Sequence, residues 1–227
     1  MILDIDLVSD FVCPWCFIGK TRLDRALAEL QASHPDVRAR INWLPFFLNP
    51  DTPPAGEPSR AFLEAKFGGA RAVDELFDRI TAAAGSDGPA FAFERIRTRP
   101  NTLNAHRLCY RAQSLGMATE KVQALADALF AAHFQQGLDI GDPETLADLA
   151  VAQGERREQI LAYLAGNADT DRVRRMAENL RRQGVSSVPF FILNRKLAIS
   201  GAQDQAVLGA ALLQAVDGEA SGRNRQR

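Results

Sequence analysis

Strand-like alternation in this chain is confined to its two ends, with a long helical stretch between them. Leu3, Ile5 and Leu7 alternate with Asp4 and Asp6, so residues 3–7 read as a strand. Leu23, Leu27 and Leu30 then recur at helical spacing in an Ala-, Glu- and Arg-rich run that "SHPD" ends. "VRARINW" alternates again, with Val37, Ala39, Ile41 and Trp43 set against Arg38, Arg40 and Asn42. "LNPDTPPAGEPS" is crowded with Pro and Gly and reads as a loop. From about Arg60 to about Gly184 the periodicity is helical, in segments that mostly end at Gly. "DPET" places an acid at an N-cap and Pro at the first helical position. "PFFILN" and "KLAIS" follow, joined by a tight polar turn near Asn194 and Arg195, the pattern of an antiparallel hairpin. A last helix carries Val207, Leu208, Ala211, Leu212 and Ala215 on one face.

With the helical block set aside, the order is strand–helix–strand–helix–strand–strand–helix. That is the order of a thioredoxin fold. The expected class is therefore α/β, a thioredoxin fold with a large all-helical domain inserted. Residues 1–48 form its first part, 49–168 the insertion and 169–217 its second part. Residues 218–227, ending "GRNRQR", are expected to be a disordered basic tail, too polar to offset their ordering entropy. A chain of 227 residues can bury a proper core. Its 27 basic and 28 acidic side chains argue against nucleic acid, whose binding needs a basic surplus. No run reaches the ~20 apolar residues that span a bilayer, so no membrane partner is expected. The start "MILDIDLVSD" carries acids where a secretory signal is positive, which points to the cytoplasm.

Between the first strand and the first helix lies "SDFVCPWCFIGKTRL", with Cys13 and Cys16 separated by Pro14 and Trp15. Pro14 suits the first helical position, which makes Cys13 the N-cap. A helix start offers unpaired N–H donors and a partial positive charge, both favouring a thiolate at Cys13. The thiolate is the attacking species in disulfide exchange. Cys16, one turn further in, is shielded and would resolve a mixed disulfide. Pro14 and Trp15 would tune the redox potential. Metal binding is disfavoured: zinc needs about four ligands, and beyond the pair only Cys109, His34, His106 and His133 are candidates of the usual soft kind. A structural cross-link this short would constrain the unfolded chain little.

Together, "SDFVCPWCFIGKTRL", "PFFLNP", "NTLNAHRL", "GVSSVPFFILN" and "ISGAQ" resemble the DsbA-like thioredoxin superfamily, in its FrnE-type branch of dithiol–disulfide oxidoreductases and isomerases. The resemblance covers the chain to about Val216. It implies that Val188–Pro189 is a cis peptide bond set against the cysteine pair. Val188 backbone groups would then be free to pair with an extended peptide or thiol substrate. The broad group also holds 2-hydroxychromene-2-carboxylate isomerase and kappa-class glutathione transferases, which commonly carry Ser at the nucleophile position. This chain keeps both cysteines, which moves the weight to redox exchange with protein or small thiol substrates. The expected catalytic residues are Cys13 and Cys16, with Val188, Pro189, Trp15 and His106 binding substrate. No cofactor is expected beyond the redox-active pair. Glutathione as co-substrate and assembly as a homodimer are left open. The alternative is a glutathione-dependent isomerase or transferase of a small aromatic or polyketide-like compound. A further alternative is a peptide-binding module without chemistry.

His106, in "NTLNAHRL", has two readings: it projects toward the cleft and handles a proton at Cys13, or it is a capped or core-edge histidine on an amphipathic helix. Asn101 and Asn104 read as helix caps at most. Cys109 and His133 read as core. Trp43, Phe46 and Phe47 read mostly as core.

Overall fold

The structure, a computed structural model, describes residues 1–224. Strand β1 (Ile2–Ser9) leads through a short turn into helix α1 (Pro14–Ser33), and β2 (Arg38–Pro45) follows. β1 and β2 pair in parallel, with Leu3 opposite Ala39 and Leu7 opposite Trp43. The apolar set Leu3, Ile5 and Leu7 is fully buried. The alternate set pairs across the strands: Arg40 Nε donates to Asp4 Oδ1 at 2.7 Å, and Asn42 Nδ2 to Asp6 Oδ1 at 2.9 Å. Period-two alternation thus sorts β1 into an apolar and a polar face.

The insertion holds α2 (Ser59–Phe67), α3 (Ala70–Ala84), α4 (Leu103–Ser114), α5 (Thr119–Phe134), α6 (Pro143–Val151) and α7 (Arg157–Ala165). Asp142 caps α6 as expected, its Oδ2 accepting from Thr145 N at 2.9 Å, with Pro143 behind it. Helix α8 (Thr170–Arg182) returns the chain to the sheet, where β5 (Phe190–Leu193) and β6 (Leu197–Ser200) form the expected hairpin. Asn194 and Arg195 have φ of 48° and 58°, the left-handed pair of a tight hairpin turn. Asn194 also accepts from Asp4 N at 3.0 Å, which ties that turn to β1. The sheet order is β2-β1-β5-β6, with β5 antiparallel to β1. Helix α9 (Gln205–Asn224) packs on α1.

Two expectations need correction. The insertion is not wholly helical: residues Glu57–Pro58 (β3) and Thr98–Arg99 (β4) pair antiparallel, and a turn of 3-10 helix spans Phe93–Arg95. The Pro-rich loop hid β3, which is held by the ion pair between Glu57 and Arg99, direct register partners. The tail expected from 218 is instead helix as far as Asn224. The remainder of that tail lies outside the described residues.

Aromatic rings join insertion and sheet. Phe130 on α5 lies 5.2 Å from Phe11 and stacks on Phe17 at 5.1 Å. Beside them, buried Lys20 on α1 is ion-paired with Asp24 at 2.7 Å and with Asp127 on α5. An unpaired ammonium there would be costly; Asp24 answers it within α1, and the pair with Asp127 ties α5 to α1. Among the described residues no helix is long and apolar enough to cross a membrane.

Candidate active site

Cys13 is the N-cap of α1, in extended backbone conformation (φ −94°, ψ 111°), with Pro14 in the first turn. Its N–H donates to Asp10 O at 3.0 Å, and its carbonyl accepts from Cys16 N at 3.0 Å. These two bonds fix the turn. Both cysteines are free thiols. Cys13 is 3 % exposed and Cys16 fully buried. The Cys13 side chain makes no capping bond to the helix; its thiol donates to Val188 O at 3.8 Å. The helix start therefore places this sulfur without binding it, and the carbonyl across the cleft takes its proton side.

Burial pushes the Cys16 thiol well above the usual range, and its hydrogen bond to Cys13 and the charge there push it further. The Ser9 hydroxyl and the Asp10 backbone act the other way. The pair is thus asymmetric: one sulfur lines an open cavity, the other is sealed beneath it.

The Val188–Pro189 bond is cis. Pro189 packs against α1 at Gly19, where a β-carbon would come 2.8 Å from Pro189 Cγ. Glycine there, one turn past Cys16, lets the Val188–Pro189 loop approach the helix. Trp15 stands at the cavity, 38 % exposed.

Of the two readings of His106, the structure favours the core over the cleft. The residue is buried, its Nε2 3.5 Å from Asp10 Oδ1, with its ring against Phe11 at 5.0 Å and Phe47 at 5.1 Å. It does not line the cavity that holds Cys13. The ring packs by its faces into the aromatic core, and buried Asp10 faces its Nε2 without closing a hydrogen bond. Asp10 itself was missed. Its backbone carbonyl holds Cys13 N, its Oδ2 accepts from Leu48 N at 2.8 Å, and its Oδ1 faces His106. Its place in "SDFVC" was visible; its burial was not. Asn101 Oδ1 does accept from Leu103 N at 3.0 Å, near the start of α4. Cys109 is buried, which pushes its thiol up to about 12.

The cavity measures about 420 Å³ and runs between the α1 start, the Val188 loop and the insertion. Cys13, Trp15, Val188, His133 and Arg99 all line it. Burial pulls His133 down to about 4, so it is neutral near pH 7, and its Nδ1 has no partner. His133, read as core, is buried as expected but also lines the cavity, and Arg99 was not singled out by the sequence, because the groups facing them come from α1, α2 and the Val188 loop.

The family model of the DsbA-like thioredoxin domain matches residues 4–213. The chain belongs to the DsbA-like thioredoxin family. Among solved structures it is similar to a probable DsbA oxidoreductase from Streptomyces coelicolor, at 32 % identity and a TM-score of 0.82, over 95 % of this chain and 90 % of that one. It shares its fold with a 2-hydroxychromene-2-carboxylate isomerase, at 19 % identity and a TM-score of 0.68, over 97 % and 98 % of the two chains. A cytosolic disulfide reductase, DsbM of Pseudomonas aeruginosa, solved with GSH, has the same fold at 16 % identity and a TM-score of 0.57, over 94 % and 99 %.

Proposed function

We propose that this protein is a thiol–disulfide oxidoreductase that exchanges at Cys13 and resolves through Cys16. The observation that carries the reading is the asymmetry of the pair. Cys13 lines the cavity at the start of α1, and Cys16 is sealed behind it within hydrogen-bond reach. In the reducing direction the Cys13 thiolate attacks a substrate disulfide and expels one substrate sulfur as thiolate. Cys16 then loses its proton and attacks Cys13 Sγ. The second substrate sulfur leaves, and two electrons have passed from the pair to the substrate. The reverse sequence oxidises a dithiol. The Ser9 side chain and the Asp10 backbone beside the Cys16 sulfur favour its thiolate inside a site that otherwise resists charge. Val188 O, freed once Cys13 loses its proton, becomes an acceptor for an extended substrate backbone.

Family membership and the similar S. coelicolor protein support this reading. A cytoplasmic location accords with a pair that cycles through the dithiol, since cytosolic thiols are kept reduced. The test is Cys16→Ser. The variant should accumulate mixed disulfides through Cys13 that resolve on adding dithiothreitol. If none form, and the wild type neither reduces insulin nor reoxidises, the exchange reading is wrong.

A second reading is favoured by the apolar cavity itself: a glutathione-dependent isomerase or transferase. There the bound tripeptide's sulfur would react, and Cys13→Ser would keep its activity. Loss of activity in that variant removes this reading.

A further inference from the structure

Arg22 lies on α1 on the turn after Gly19, whose face of the helix meets Pro189 and Ala202. Its Nη1 donates to Ala202 O at 2.7 Å and its Nη2 to Ala83 O at 2.8 Å. Asp204 Oδ1 stands 3.3 Å from the same Nη1. These partners come from segments far apart in the chain. Ala202 follows β6, and its neighbour Gly201 donates its N–H to Pro189 O at 2.9 Å. The hydroxyls of Ser187 and Ser200, 3.3 Å apart, add a second tie along the same loop. Residues 200–202 therefore back the Val188–Pro189 loop, whose Val188 O lies 3.8 Å from Cys13 Sγ. Ala83 belongs to the last turn of α3, where carbonyls lack helical donors. Leu76, Phe77 and Ile80 of the same helix line the cavity that Cys13 lines.

One guanidinium thus fastens α1, the Pro189 loop and α3 to one another, and all three contribute walls to the cavity. A planar fork can donate in two directions at once; an ammonium is a single point of charge. Arg25, on the following turn, makes the contrast. It donates to Asp87 O and stands 3.7 Å from Asp87 Oδ2, and among the described residues it has no bond to the segment behind Pro189. Arg22 does not itself line the cavity. We propose that Arg22 is a positioning residue: it fixes the Val188–Pro189 loop and α3 relative to Cys13, and so sets how a disulfide substrate lies over that sulfur. The effect on substrate rests on the exchange reading above; the hold on the loop does not.

Amide hydrogen exchange, read by NMR on the full chain, tests the loop without any thiol chemistry. In Arg22→Met the Gly201 amide, bonded to Pro189 O, should exchange at least about tenfold faster, while amides of the β1–β2 ladder keep their protection. Insulin reduction driven by dithiothreitol tests the substrate. Arg22→Met should raise KM about fivefold or more and keep kcat within about twofold, because the loop binds substrate and takes no part in the bond exchange. Arg22→Lys should recover part of both effects, since it keeps the charge and loses the fork. Arg25→Met should match the wild type in both measurements. An unchanged Gly201 amide, an unchanged KM, or an Arg25→Met protein that behaves as Arg22→Met does would overturn the proposal. A fall in kcat together with faster exchange along β1 would also overturn it, by reducing Arg22 to a general support of the fold. Should the wild type reduce no insulin, the exchange reading fails, and the Gly201 amide alone decides whether Arg22 holds the loop.

Discussion

Arg107 and Arg99 are both buried arginines of the insertion, and their surroundings differ completely. Arg107, 2 % exposed, donates to the carbonyls of Tyr163, Leu164, Gly166 and Ala168 at 2.7–3.2 Å and to Asn104 Oδ1 at 2.8 Å. It meets the carbonyls that the end of α7 leaves unpaired. Arg99, in the cavity wall, keeps two buried nitrogens without partners. The region around α4, α7 and α8 spends its polar groups on holding the fold. The region beside the cavity of Cys13 leaves some buried polar groups unmet. The contrast extends to sulfur: Cys109 is sealed in the core among apolar side chains, whereas Cys13 lines the open space.

The contrast can be broken by substitution. Cys13→Ser should abolish insulin reduction while leaving the melting temperature within a degree or two, because it removes only a reactive sulfur; a large drop in stability would place Cys13 on the structural side. Arg107→Met should cost about 3 kcal/mol or more in urea unfolding, since several buried carbonyls lose their donor. A loss below about 1 kcal/mol would mean that water replaces the guanidinium freely.

His133 offers a pH test. Its folded value near 4 lies below the unfolded value of about 6.5. The folded state therefore binds fewer protons in this window, and stability falls as the pH drops from about 6.5 toward 4. Between pH 7 and pH 5 the loss from this one group should be about 2 kcal/mol. Unfolding of His133→Gln at both pH values should show that part of the acid sensitivity gone; an unchanged pH dependence would count against the depressed value. Gly19→Ala should cost about 1–2 kcal/mol through overpacking at Pro189, read from the same unfolding curves. The smallest effect is expected at Arg99. Arg99→Met should cost about 1 kcal/mol, because it breaks the ion pair with Glu57, whose partly exposed carboxylate water can then solvate. A cost equal to that of Arg107→Met would erase the distinction between the two regions.

Most elements could be read from pattern alone. Alternation in residues 3–7 and 37–43, the Asp142–Pro143 start of α6 and the turn at Asn194–Arg195 are local signals, set by side-chain period and backbone preference within a few residues. β3 and β4 are two residues each and pair across about forty positions, so no local period announced them. The end of the chain was misjudged for a related reason: polarity lowers the gain from burial but does not forbid a helix from running on.

The chain's own order of residues determined the strand–helix alternation, the cysteine turn at the head of α1 and the place of the helical insertion, because each depends on spacing within a single segment. Only the tertiary structure decided what surrounds those groups. Packing sent His106 inward to Asp10, brought His133 and Arg99 to the cavity of Cys13, and left two nitrogens of Arg99 unmet. Burial and polar satisfaction are sums over neighbours distant in sequence, and no stretch of the chain carries them by itself.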